Sequence, residues 1–309
     1  MTAYLPEGKR FCTVHNPEML RTPQKLKEAM ERGEILEAKA VMCDSEHNLI
    51  VDLGCMRGFV PREEGAVGIR EGTVRDIAVI SRVGRVICFV VSDIVTDAAG
   101  RELAILSRAK AQRRCIEEYV NTLHAGDVIK ARVTHLEPFG AFCDIGCGVV
   151  ALMPIDTISV SRIEHPDERF VVGQDITAVI KSRVGTRITL SHKELLGTWE
   201  ENAADFSVGE TVAGVIRSIE NYGAFVELTP NLAGLAELRD HLRVGTAASV
   251  YIKSIIPRRM KIKLIIIDTF DQPPIPAQPR YYITGGHIDR FVYSPADCEK
   301  TIITDFLEQ

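Results

Sequence analysis

The sequence predicts a mainly β protein made of three tandem five-stranded barrels, with helical linkers between them and a C-terminal tail. An aromatic-Gly-Ala-Phe phrase occurs twice, at 139–142 and 222–225, within copies of about 70 residues. Inside each copy, apolar and polar residues alternate with a period of two, which indicates strands with one buried face. Glycine-rich turns divide each copy into five short strands, and a closed barrel of that size leaves no exposed sheet edge.

The two clear copies align closely. Residues 126–155 match residues 209–238 without a gap, and in both a glycine-acid pair stands thirteen residues before the aromatic phrase. The strand endings at 187–190 and 261–264 also correspond, while the earlier copy holds about eleven more residues around 161–169. We therefore expect one barrel at 124–195 and another at 207–268.

A weaker copy lies upstream, at 33–110. Its Val-Asp-Leu-Gly run at 51–54 parallels Cys-Asp-Ile-Gly at 143–146, and its Gly-Phe-Val-Pro run parallels Ala-Leu-Met-Pro. His47 and Ile50 stand where the later copies have aromatic residues. We expect this first barrel to be degenerate and to lack the aromatic pair.

The connections read as helices. In the N-terminal extension, 1–32, Thr22 and Pro23 resemble an N-cap and a first helical position, and Gly33 marks the end. A helix is expected to begin near Ser107 and to supply the linker at 111–123. The linker at 196–206 contains the only tryptophan, Trp199, which we expect to pack between neighbouring barrels.

The C-terminal tail, 269–309, begins with a proline-rich stretch at 271–276, which is typical of an extended spacer. Aromatic residues then follow more densely than in a plain solvated tail: Tyr281, Tyr282, Phe291 and Tyr293. We expect this part of the tail to dock on a barrel.

Composition limits the possible functions. The chain has 309 residues, 46% of them hydrophobic, which predicts two to four folded domains. A net charge of −5 means that any nucleic-acid contact depends on local basic clusters. Because no apolar run approaches the roughly 18 residues of a membrane span and no secretory signal layout is evident, we expect a cytoplasmic protein with no membrane partner.

Neither a metal site nor a catalytic site is predicted. The eight cysteines include no CxxC pair, so they are interpreted as reduced thiols, and no metal or cofactor is expected. The histidines are scattered and are expected at the surface or in caps. Acidic pairs such as Glu117 and Glu118 are adjacent, which places them on diverging helix faces. General acid-base catalysis is therefore not expected.

The duplicated aromatic residues are the candidate site. Phe139 with Phe142, and Tyr222 with Phe225, are each separated by glycine and alanine at the head of a strand. Exposed together, each pair forms a flat surface suited to the faces of unpaired nucleobases. The alternative is that these rings belong to the barrel cores. Recurrence of the pair beside Gly-Ala favours exposure.

These motifs resemble the RNA-binding repeat of the ribosomal protein S-one (S1) family, an OB-fold barrel that also occurs in polynucleotide phosphorylase. The shared pattern comprises the glycine-acid pair, the aromatic-Gly-Ala-Phe phrase and a basic residue opening the last strand. It covers roughly residues 33–110, 124–195 and 207–268. The whole is similar to short, three-repeat relatives in Firmicutes, so the resemblance implies three OB-folds.

The resemblance assigns RNA contacts residue by residue. The stacking aromatics fall on Phe139, Phe142, Tyr222 and Phe225, and the basic residue falls on Arg187 and Lys261. The family histidine falls on Pro154 and Glu237, so that contact is lost, and the acidic loop residue falls on Arg183 and Pro257. Arg183 is expected to reach phosphate directly.

Two basic clusters are open to more than one interpretation. Arg108, Lys110, Arg113 and Arg114 crowd the start of a predicted helix, where their charge opposes the helix dipole. Arg258 and Arg259 lie beside Lys261 and Lys263 near the third repeat's last strand. Both clusters suit phosphate contact, and both also suit a solvated basic face.

The sequence thus predicts a non-catalytic protein that binds single-stranded RNA, such as mRNA, and acts in translation. The first barrel is expected to dock on a partner, which the resemblance suggests is the small ribosomal subunit. Two alternatives remain: a protein-interaction scaffold with weakened RNA binding, and an accessory RNA-binding factor in RNA decay.

Overall fold

The computed structural model describes residues 4–96, 100–185, 187–271 and 278–307. It contains three closed five-stranded barrels, which confirms the predicted architecture of three OB-folds. The chain divides into two compact units, one of 1–123 with 144–150 and one of 124–143 with 151–309. The predicted proline spacer falls, apart from Asp271, outside the described residues.

The first barrel closes in the order β1-β2-β3-β5-β4. β3 and β5 pair in parallel, and the other neighbours pair antiparallel. Its core is aliphatic apart from Phe89, with Leu36, Val51 and Leu106 at 2% exposure or less. The strands are β1 (Ile35–Cys43), β2 (Leu49–Asp52), β3 (Arg57–Val60), β4 (Val86–Thr96) and β5 (Glu102–Ser107).

Four helices accompany this barrel: α1 (His15–Met19), α2 (Pro23–Glu31), α3 (Ile77–Ile80) and α4 (Arg108–Glu118). The predicted cap of α2 is confirmed, since the Thr22 hydroxyl accepts a hydrogen bond from the Lys25 amide at 3.2 Å and Pro23 opens the helix. Leu26 and Ala29 of α2 are fully buried. This helix therefore belongs to the core of the first unit.

A buried ion pair anchors the start of α4. The Arg108 side chain is 3% exposed, and its guanidinium donates to both carboxylate oxygens of Glu7, at 2.7 and 3.0 Å. Both interpretations of the basic cluster are thus wrong for Arg108, which neither faces solvent nor is open to phosphate. Burial raises the pKa of the Glu7 carboxyl, but the charge and hydrogen bonds of Arg108, together with the Arg82 charge and the Cys88 amide, bring that pKa below its ordinary value.

We predict that Arg108→Met lowers the free energy of unfolding of the first unit by about 3 kcal/mol, because it leaves the Glu7 carboxylate buried without its bidentate partner. Urea unfolding measures this loss. Adding Glu7→Gln should recover much of it. Arg113→Met removes an ion pair that is about 40% exposed at the arginine, so its cost should stay below about 1 kcal/mol. Equal losses for Arg108→Met and Arg113→Met would contradict the prediction.

The second barrel has the strand order β10-β8-β7-β6-β9 and the third has the order β11-β12-β13-β15-β14. The strands of the second are β6 (Val128–Glu137), β7 (Gly140–Asp144), β8 (Val150–Pro154), β9 (Asp175–Val184) and β10 (Arg187–Ser191). Those of the third are β11 (Thr211–Glu220), β12 (Gly223–Thr229), β13 (Leu232–Ala236), β14 (Ala247–Ile256) and β15 (Lys261–Phe270).

Trp199 opens the short helix α5 (Trp199–Ala203) and is 3% exposed. It lies in a buried cluster that includes Val179 of β9 together with Ile216 and Leu232 of the third barrel. The expectation that this tryptophan packs between two barrels is confirmed. The second and third barrels therefore share one hydrophobic core cluster.

The extra residues near 161–169 connect the same two barrels. Arg169 pairs with Glu227 of β12, and Arg217 of β11 donates to Glu227 at 2.8 Å and also pairs with Glu168. Side chains of both arginines and of Glu227 are less than 10% exposed. The stretch that seemed a variable insertion in the sequence thus supplies half of a buried ion-pair network.

The C-terminal tail docks within the second unit, as predicted. It forms a two-stranded sheet of β16 (Arg290–Val292) and β17 (Ile303–Asp305), and Phe291, Tyr293 and Phe306 are buried in the shared cluster. The Tyr293 hydroxyl donates to the Asn231 carbonyl. Aromatic residues of the tail therefore act as packing groups.

His192 stands at the N-cap position of the 3-10 turn Lys193–Leu196, in keeping with the expectation for the histidines, but its side chain makes no cap hydrogen bond and the residue is only 2% exposed. Its Nδ1–H donates to the Ile158 carbonyl at 2.9 Å, and its Nε2 accepts from the Tyr281 hydroxyl at 3.1 Å. That hydroxyl accepts in turn from the Thr177 amide. A neutral imidazole satisfies this chain of hydrogen bonds, and burial lowers the pKa of His192 to about 4.

We predict that the second unit loses stability as pH falls from about 6.5 to about 4. In that window the unfolded chain binds a proton at His192 and the folded chain does not, so each pH unit costs roughly 1.4 kcal/mol. Thermal unfolding followed by Trp199 fluorescence measures the slope. His192→Gln should show a shallower slope, and an unchanged slope in that variant would refute this assignment.

Candidate nucleic-acid interface

A close approach of two strands positions the aromatic phrases. A Cβ on Gly140 would lie 2.4 Å from the Met153 carbonyl oxygen, and one on Gly223 would lie 2.6 Å from that of Ala236. Only glycine fits at either place. The alanine that follows each glycine points into its barrel and is fully buried. Phe142 and Phe225, which follow the alanine in the strand, consequently face outward, and Phe139 and Tyr222 lie in the turn just before the strand.

The outer rings are exposed and the inner rings are half-buried. Phe139 is 55% exposed and Tyr222 is 68% exposed, while Phe142 and Phe225 have intermediate burial. The ring planes of Phe139 and Phe142 meet at 89° with centroids 5.9 Å apart, and those of Tyr222 and Phe225 meet at 90° and 6.2 Å. Each aromatic pair is therefore an L-shaped surface and not the single flat face expected from sequence.

In the third barrel, the cross-strand register places further outward residues beside the aromatic pair. Phe225 stands opposite Leu235 of β13, and Leu235 stands opposite Lys263 of β15. Adjacent strands are about 4.8 Å apart, so the Lys263 backbone is on the order of 10 Å from that of Phe225. Lys263 is exposed. Sequence comparison selected Lys261 as the cation of this barrel, but Lys263 is the residue in line with the ring.

The other predicted cations lie at strand ends. Arg187 and Lys261 are exposed first residues of β10 and β15. Arg183, near the end of β9, is exposed and donates from Nε to the Gly185 carbonyl at 3.2 Å. Arg258 is exposed in a 3-10 turn, Pro257–Arg259, beside the start of β15. Arg183, Arg187 and Lys261 are thus exposed on strands that lie two places from the strand bearing Phe142 or Phe225 in the barrel order, and Arg258 is in the turn that precedes β15.

One further ring belongs to the second barrel's surface. His135 of β6 has its ring centroid 6.2 Å from that of Phe142, with the two planes within 27° of parallel. Its side chain is 62% exposed, and its Nε2 lies 2.7 Å from a Glu137 carboxylate oxygen. Sequence reasoning missed His135. The gapless alignment of the copies pairs it with Ser218, a difference that could have drawn attention to it.

The described ranges contain no cluster of three or more His, Cys, Asp or Glu side chains arranged to hold a metal ion. Within the same residues, no helix combines the length and the apolar character that a bilayer crossing requires.

The second barrel matches a known family model, and most of the chain is similar to curated ribosomal proteins. Residues 122–193 match the family model described as "S1 RNA binding domain". The small ribosomal subunit protein bS1 of Staphylococcus aureus (strain COL) is 32% identical over 252 residues, which cover 79% of this chain and 61% of that protein. The bS1 of Staphylococcus haemolyticus is 31% identical over 77% of this chain. The chain thus spans about three fifths of the length of these curated relatives.

Among solved structures, a multidomain protein with nucleic acid binding domains from Streptococcus pneumoniae TIGR4 aligns over 76% of this chain and 74% of its own. The identity is 13% and the TM-score is 0.25, a value too low for comparing whole-chain arrangements.

We predict that Gly223→Ala destabilises the third barrel by about 1–3 kcal/mol, because the new methyl group would collide with the Ala236 carbonyl. Thermal unfolding followed by Trp199 fluorescence checks this. Gly285→Ala is the matched control, since no atom lies within 4 Å of its added Cβ. A loss at Gly285 as large as that at Gly223 would show that close approach is not the cause.

Proposed function

We propose that this chain, which is a relative of the S1 family, binds single-stranded RNA without catalysing a reaction. The contact is made by the aromatic pairs of its second and third barrels. The observation that carries this proposal is the recurrence of an exposed ring next to a half-buried one at equivalent places in two barrels, with Phe139 and Tyr222 more than half exposed.

Stacking and charge together account for such binding. Each base stacked on an aromatic side chain contributes about 1–3 kcal/mol, and cations beside the rings track the phosphate backbone. Arg183, Arg187, Arg258, Lys261 and Lys263 supply those cations despite the net charge of −5. Because both barrels belong to one compact unit, binding at one raises the effective concentration of RNA at the other.

The more specific part of the proposal concerns the cellular role. We infer that the RNA is mRNA and that the protein acts in translation in the cytoplasm, in keeping with the bS1 relatives. The first barrel has the half-buried His47 and Ile50 at the aromatic positions, so a docking role toward the small ribosomal subunit suits it better than stacking. Co-sedimentation with ribosomal subunits tests this role, by comparing the unaltered protein with variants substituted in the first barrel.

A scaffold that binds proteins is the rival function. The net charge of −5 favours it, and so do Pro154 and Glu237 at the place of the family histidine. A role in RNA decay makes the same RNA contacts and differs only in partner. A pull-down that recovers decay enzymes instead of ribosomal subunits would replace the translation role.

We predict that Phe139→Ala with Tyr222→Ala lowers affinity for an unstructured RNA at least about tenfold, because one stacking ring is lost from each barrel. Both side chains are largely exposed, so the fold should remain intact. Fluorescence anisotropy with a labelled oligonucleotide measures the change.

The matched control replaces two other exposed rings, Phe11 and Phe270, which are 46% and 48% exposed and lie outside the aromatic pairs. Its affinity should equal that of the unaltered protein. The RNA-binding proposal is abandoned if the Phe139 and Tyr222 double variant binds as well as this control.

We predict that RNA affinity falls roughly twentyfold between 50 and 200 mM salt, as about three phosphate contacts on a single strand would require. Lys261→Ala with Lys263→Ala should reduce the slope of log affinity against log salt by about 1.4, because two contacts are lost. Anisotropy titrations across salt concentrations give both slopes. A salt-independent affinity would favour the scaffold.

A further inference from the structure

Near the inner ring of the aromatic pair, the second and third barrels differ at the position of His135 and Ser218. In the third barrel, Ser218 of β11 stands directly opposite Phe225, next to a register shift at Arg217. Such a bulge redirects the neighbouring side chains of its strand. The equivalent residue of the second barrel is His135, whose ring lies near that of Phe142. The third barrel therefore has two rings on this surface, and the second barrel has three.

The geometry of His135 suits a ligand-facing ring. Its plane is within 27° of the Phe142 plane, whereas Phe139 is perpendicular to Phe142. The side chain is 62% exposed, so most of the imidazole remains open to solvent. His135 and Phe142 are stacked with ring centroids 6.2 Å apart, so the two rings present π faces in nearly the same orientation.

The contacts of His135 within the protein do not explain this placement. Its Nε2 meets the carboxylate of Glu137, a residue that is itself 39% exposed, and exposed pairs of this kind stabilise proteins by about 0–1 kcal/mol. The third barrel retains the equivalent acid as Glu220 but has Ser218 in place of the histidine. The acid is therefore shared by both barrels, and the additional ring is not.

We propose that His135 is a third stacking ring, which makes the second barrel the stronger RNA site of the two and gives it a preference for purines. The inference rests on the proposed function of the aromatic pairs. A purine has two fused rings and covers more of the His135 and Phe142 surface than a pyrimidine does. Base preferences on such surfaces arise from differences in stacking strength.

The test measures each barrel within the full chain. Tyr222→Ala with Phe225→Ala silences the third barrel, and in that background His135→Ser copies the third barrel's residue into the second. Affinity for oligo(A) should fall at least about fivefold, the equivalent of the lower limit for one stacked base. Affinity for oligo(U) should fall less. His135→Phe keeps a ring and should bind oligo(A) within about twofold of the parent.

The reciprocal exchange uses Phe139→Ala with Phe142→Ala to silence the second barrel. Adding Ser218→His should then raise oligo(A) affinity of the third barrel and increase its ratio of oligo(A) to oligo(U) affinity. A purely structural role for His135 would lower both affinities equally and leave the ratio unchanged, and that result overturns the proposal. Unchanged oligo(A) affinity in His135→Ser also overturns it.

These outcomes separate this inference from the proposed function. If replacing Phe139 and Tyr222 weakens RNA binding but His135→Ser does not, the aromatic pairs remain the RNA site and only the third ring is rejected.

Discussion

The close approach of neighbouring strands at Gly140 and Gly223 is the constraint on which the proposed interface depends. Less than 3 Å separates each missing Cβ position from a carbonyl oxygen of the next strand, so any side chain there would force the strands apart. With glycine fixed and the following alanine buried, the pleat of the strand leaves Phe142 and Phe225 on the outside. Phe139 and Tyr222 lie in the turn just before the strand and are exposed there.

A second constraint keeps the two ring-bearing barrels together. Arg169, Arg217 and Glu227 are each less than 10% exposed, and burial of unpaired charges at these positions would cost several kcal/mol. Trp199 and the aromatic residues of the tail fill the apolar space beside them. The ion pairs and the shared cluster both contain residues from the two barrels, so the barrels are expected to unfold as one unit.

Local signals in the sequence were sufficient to predict the barrels, the cap at Thr22 and the burial of Trp199. Turn residues, alternation of apolar residues and large apolar side chains can each be recognised within a short stretch of sequence. The sequence was misleading where a distant partner decides the environment. Arg108 pairs with Glu7, a hundred and one residues away, and His192 depends on Tyr281 of the tail. Likewise, His135 and Lys263 become part of the surface only through the cross-strand register.

The barrels therefore offer two kinds of position. Inward residues such as Ala141 and Ala224 are fully buried and cannot change without disturbing the core. Outward residues on other strands of the same barrels contribute less to packing, and here the copies differ: His135 against Ser218, and Thr189 against Lys263. Thr189 stands opposite Leu152 as Lys263 stands opposite Leu235. One barrel thus has an extra ring and the other an extra cation, so under the proposed function the second is expected to be the better surface for bases and the third the better surface for phosphates.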